Sequence, residues 1–86
     1  MIVKISQTQK DYLVHSLLKG KSSLIAELEK GDFKFGKWHI CISSDCADEI
    51  RDLCLLKIQL SGFDENYRLT ILGEQIEELA DVFFEQ

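Results

Sequence analysis

The segment TILGEQIEELADVFFEQ, residues 70–86, does most to narrow the folds open to this chain. Leu72, Ile76, Leu79 and Phe83 recur at spacings of four, three and four, which is one apolar stripe along a helix. At ~100° per residue, Glu74, Glu78, Asp81 and Glu85 fall on the opposite side, with Glu77 beside them. Thr70 is placed to cap the helix. A helix of this kind is marginal alone and must bury its stripe against a second layer. The chain is 86 residues long, so that layer belongs to the same single domain, 1–86.

The remaining elements follow from local signals. MIVKIS reads as an opening strand with Ile2 and Val3 on opposite faces. Thr8 is expected to cap a helix from Gln9, with Asp11 closing a short capping box. Leu13, Leu17, Leu24 and Leu28 continue that rhythm to about Lys30, either as one kinked helix or as two helices separated at Gly20, with Gly31 at the C′ position. DFKFGKWHICIS reads as a hairpin folded at Gly36-Lys37, Phe35 opposite Trp38 and Phe33 opposite Ile40; one bulged strand is the alternative.

SSDCADEIRDLCLLKIQLSG is a helix capped by Ser43 or Ser44 and closed by Gly62, with Phe63 folding back on Ile58. FDENY is a turn, and YRLT a short extended run. The expected fold is α+β: a small sheet of two or three strands packed against about three helices.

Charge is divided unevenly. Residues 1–43 carry seven Lys/Arg against four Asp/Glu, a net of +3; residues 44–86 carry three against eleven, a net of −8. From Thr70 onward there is no basic residue, so the i,i+4 ion pairs that usually support such a helix cannot form within it. The preceding helix repeats the bias with Asp45, Asp48, Glu49 and Asp52 on one side, and Leu56 projects towards them. Unpaired like charge destabilises a compact fold unless something positive compensates, so a basic partner is expected and nucleic acid or anionic lipid is not.

No motif for chemistry accompanies this surface. His15 and His39 lie in no nucleophile–base spacing, and no zinc-protease, nucleophile-elbow or phosphate-loop pattern occurs. His39, Cys41 and Cys46 match no zinc module, and no cofactor is expected. Three cysteines at irregular spacing fit reduced thiols better than a disulfide framework. With no ~20-residue apolar run and no signal-like start, the expected compartment is the cytoplasm.

GFDENYRLTILGEQIEELADVFFEQ, with the helix before it, resembles small bacterial immunity-type proteins of contact-dependent growth inhibition and related polymorphic toxin systems. The shared pattern is GFD-x-x-Y-x-L-T-x-x-G-x-x-[IL]-E-x-L-x-D after an E-x-[IL]-R-D-L helix. Gly62, Phe63, Asp64, Tyr67, Leu69, Thr70, Gly73, Ile76, Glu77, Leu79 and Asp81 match it, as do Glu49, Ile50, Arg51, Asp52 and Leu53. The resemblance covers roughly half the chain, mainly residues 44–86.

What it implies is a protein that binds and neutralises one cognate toxin domain, a nuclease by preference, without catalysis. Basic nuclease sites would meet an acidic inhibitor. The expected contacts are Glu74, Glu78, Asp81, Glu85, Asp64 and Glu65, with Asp45, Asp52 and Leu56 as an alternative patch. Two other readings remain: a winged-helix regulator, because YRLTxxG resembles a wing, and a homodimeric adaptor using Leu55 and Leu56.

Overall fold

The computed structural model describes residues 1–84. Glu85, one of the expected contacts, lies outside the described residues. The chain runs β1 (Ile2–Ile5), α1 (Gln7–Tyr12), a π-helical stretch (Leu13–Leu17), α2 (Ser22–Glu29), β2 (Asp32–Lys34), β3 (Lys37–Cys41), α3 (Ser44–Ser61) and α4 (Ile71–Val82). It is an α+β fold with an antiparallel sheet of order β1-β3-β2.

Alternation sorts the sheet residues. Val3 pairs with Ile40 and Ile5 with Trp38; Val3, Ile5, Ile40 and Ile42 are buried, while Ile2 and Lys4 face out. The core packs Ile50, Cys54 and Ile58 of α3 and Ile76 and Leu79 of α4 with these strand residues, and Leu13 and Leu18 join from the π-helical stretch and its end, Leu24 and Leu28 from α2. The α4 stripe is shifted slightly from expectation: Gly73 and Ala80 are buried with Ile76 and Leu79, whereas Leu72 is exposed.

Three local expectations need correction. Ser6, not Thr8, caps α1: its hydroxyl accepts from the Gln9 amide at 3.1 Å, and the Gln9 side chain accepts from the Ser6 amide at 2.9 Å. Residue type at N3 decides this, because Gln9 completes the box while Asp11 is occupied by Gln7 at 2.8 Å. The chain then breaks at Gly20, whose φ of +86° suits glycine, which selects the second of the two expected arrangements, helices separated at that residue.

The hairpin exists but turns one residue earlier. Phe35 and Gly36 both have positive φ, +52° and +78°, the mark of a type I′ turn, and Phe33 pairs with Trp38, their rings 5.4 Å apart. That turn matches the twist of the strands, and it places Phe35 outside the sheet instead of opposite Trp38. Lastly, Gly62 ends α3 at φ −88°, with its amide bonded to the Ile58 carbonyl, so the left-handed Schellman closure does not form and Phe63 bridges Leu69 instead.

The α3–α4 connection is a hydrogen-bonded clamp. The Thr70 hydroxyl donates to the Gly62 carbonyl at 3.1 Å and accepts from the Gly73 amide at 3.0 Å; the Thr70 amide donates to the same carbonyl at 2.8 Å. Asp64 Oδ1 accepts from the amides of Asn66 and Arg68 at 2.9 and 3.0 Å, which holds the turn in which Tyr67 takes φ +60°.

Gly73 packs directly over the Gly62 carbonyl. An added Cβ would overlap that oxygen and lie 2.8 Å from Leu69 Cδ1. Alanine would gain about 1 kcal/mol of helix propensity, but overpacking against backbone costs about 3 kcal/mol. Gly73→Ala is therefore expected to lose about 2 kcal/mol net and lower the melting temperature by ~10 °C, read by thermal denaturation.

Candidate functional site

α3 and α4 lie against each other, and the sequence phases their outer faces. On α4, Glu74, Glu77, Glu78 and Asp81 are all exposed. On α3, Asp45, Glu49 and Asp52 are exposed, with Leu56 half in solvent at 50%. The two patches read separately in the sequence meet at one place. Asp52 and Asp81 line the same groove of about 430 Å³, together with Leu55, Ala80, Phe84 and Arg51. It therefore has an apolar lining and a charged rim.

Phe84, 58% exposed, is a groove residue absent from the expected contacts. Its signal was its adjacency to Phe83: the C-cap Phe83 is buried, and Phe84, just beyond the end of α4, lies on the groove beside α3. Arg51 sits over its ring, 5.0 Å from the centroid, and pairs with Asp48 at 3.4 Å.

Internal neutralisation is the alternative use for these carboxylates. The amino-terminal lysines in ion pairs meet amino-terminal acids: Lys10 with Glu29 at 4.0 Å and Lys30 with Glu27 at 3.2 Å. Among the described residues of the carboxyl-terminal half, Asp48 alone has a cation within 4.0 Å. Glu78 lines a separate cavity of about 420 Å³ on the other side of α4, with Lys37, Tyr12 and Leu72, so Glu78 and Asp81 border different spaces. Asp64 and Glu65 are exposed, but Asp64 is also the acceptor that shapes the α3–α4 turn.

The three thiols are not equivalent. Cys41 is exposed, Cys46 half-buried and Cys54 buried, so only Cys54 is a core residue. Among the described residues no three His, Cys, Asp or Glu side chains come together to hold a metal ion. Burial pushes the Cys54 thiol up to about 12; the Tyr12 hydroxyl is raised too, by burial first and by nearby Cys54 second. The Tyr12 hydroxyl has no hydrogen-bond partner among the described residues.

A thiol raised in the folded state keeps its proton while the unfolded chain releases it, so the unfolded state binds fewer protons and stability falls with rising pH. The Cys54 window runs from the ordinary 9.0 to about 12. Within it, stability is expected to fall more steeply than in Cys54→Ala by up to ~1.4 kcal/mol per pH unit, measured by urea unfolding.

The bridge between Phe63 and Leu69 gives the outline of a wing, yet α3 ahead of it presents Asp45, Asp48, Glu49 and Asp52, the wrong charge for reading DNA. No helix among the described residues is long and apolar enough to cross a membrane. Comparison with protein families, with curated proteins and with solved structures finds no match for this chain.

Proposed function

We propose that this chain is an immunity-type inhibitor that binds a cognate toxin domain through the acidic α3–α4 face and has no chemistry of its own. The observation that carries the reading is the shared groove, where Asp52 and Asp81 rim an apolar lining of Leu55, Ala80 and Phe84. An apolar centre with a charged rim is the anatomy of a protein-binding surface. Among the described residues no cation lies within 4.0 Å of Glu74, Glu78 or Asp81, which supports a basic partner.

A nuclease fits best, because a site that holds phosphates is itself basic. The carboxylates would take the place of phosphate and exclude nucleic acid from the toxin. Leu56 and Asp45 extend the contact along α3 and Glu74 extends it along α4, while Glu78 borders the separate cavity with Lys37. The resemblance of residues 62–81 to immunity-type proteins supports the same reading, although Gly62, Asp64, Thr70 and Gly73 serve the α3–α4 clamp.

The test is to search the neighbouring genes for a toxin domain and to co-express any such domain with this chain. Cells making both should grow, and the purified chain should form a stoichiometric complex with that domain. Growth arrest despite full expression of the chain would remove the immunity reading.

A further inference from the structure

The tip of the β2–β3 hairpin combines three features that each work against the fold. Phe35 is 98% exposed and therefore contributes almost no burial. It occupies a left-handed conformation, φ +52°, that a bulky side chain disfavours and asparagine or glycine accepts. Lys34 and Lys37 are direct cross-strand partners, and like charges in that position repel. Beyond the backbone pairing of the strands, no side-chain hydrogen bond, ion pair or ring contact joins Lys34, Phe35 or Lys37 to another described residue. An exposed phenyl ring between two ammonium groups is complementary to an apolar hollow rimmed by carboxylates.

The α3–α4 groove is such a hollow. Its lining of Leu55, Ala80 and Phe84 has room for a ring, since benzene occupies a cavity of about 150 Å³ and the groove measures about 430 Å³. Asp52 and Asp81 offer partners for the two lysines, while Arg51, the one cation among the described lining residues, stacks on Phe84 and is paired with Asp48 at 3.4 Å. We propose that the hairpin tip of one copy docks in the α3–α4 groove of a second copy: Phe35 on the apolar lining, Lys34 and Lys37 towards Asp52 and Asp81. The proposal goes beyond the toxin reading and stands without it.

In the proposed one-way contact each copy keeps one free tip and one free groove, so association adds copies in a row. A symmetric pairing of the Leu55–Leu56 faces would instead set Asp45 and Asp52 of two copies against each other. Anionic lipid is a poorer occupant for the tip: two lysines near a bilayer give only about 1 kcal/mol each, opposed by the −8 half of the molecule. Docking a single ring buries little area, so the association is weak and salt-sensitive. A toxin on the same groove would displace the tip, which makes self-association a reversible mask over the binding face.

Analytical ultracentrifugation of the full chain tests this. At low salt the average mass should rise with concentration past that of a dimer, and return to the monomer at high salt. Phe35→Asn should weaken association at least about tenfold without lowering the melting temperature, since asparagine suits the turn. Leu55→Arg should do the same from the groove side.

Each variant alone should associate far more weakly than the wild type, but their equimolar mixture retains one intact tip and one intact groove and should form a complex of two and no more. A wild-type chain that stays monomeric at every concentration overturns the proposal, as does association that survives Phe35→Asn. Tip-dependent co-sedimentation with phosphatidylserine vesicles, with no self-association, would assign the tip to lipid and also overturn it.

Discussion

Phe83→Ala is expected to cost about 4 kcal/mol, because it removes a buried aromatic ring and leaves a cavity that α4 cannot close. Phe83 is 0% exposed and sits where α4 ends, packed with the core of Ile50, Cys54, Ile76 and Leu79. A domain of this size is stable by roughly 4–13 kcal/mol, so the loss is a large share of the total. It corresponds to a fall of ~20 °C in melting temperature. The neighbouring ring gives the control. Phe84 lies on the surface over Arg51, and Phe84→Ala is expected to cost under about 1 kcal/mol. Equal losses for the two variants, in urea or thermal unfolding, would mean that α4 is rotated from the position described.

The second large effect is on binding and leaves the fold intact. Asp52→Lys combined with Asp81→Lys reverses both carboxylates of the groove rim. Neither carboxylate is in an ion pair among the described residues, and both belong to an excess of like charge. The double variant should therefore melt at or slightly above the wild-type temperature, through relief of self-repulsion. Its association with the toxin domain should slow by about a hundredfold at low salt, within the range of electrostatic steering. Reversing Glu78 alone should do less, because that residue borders the cavity shared with Lys37 and not the groove. A double variant that unfolds would mean the two aspartates serve the fold; one that binds unchanged would place the interface elsewhere.

The contrast between these experiments follows how the sequence encodes each layer. Short-range chemistry was legible: Ser43 and Thr70 cap their helices as their positions imply, and the α4 periodicity picked out Ile76, Leu79 and Phe83 as core. Where two local solutions compete within a residue or two, the signal was too weak. Ser6 and Thr8 are both acceptable caps, and only the reach of the Gln9 side chain separates them. A turn at Phe35-Gly36 or at Gly36-Lys37 satisfies the same alternation, and the choice rests on strand twist and on setting Phe33 against Trp38.

The site was legible as charge but not as shape. Both acidic faces follow from helical phase, yet their convergence at Asp52 and Asp81 depends on how α3 and α4 are clamped side by side. That geometry comes from Gly73 against the Gly62 carbonyl, a contact between backbones with no side-chain pattern to announce it.

The central claim is that a carboxylate-rimmed groove recruits a cationic protein. Its most direct measurement is the association rate with the toxin domain across ionic strength, for wild type beside the Asp52, Asp81 double reversal. A wild-type rate that falls steeply with salt, converging on a slow and nearly salt-independent variant, is the predicted result. Two parallel lines of equal slope would contradict it.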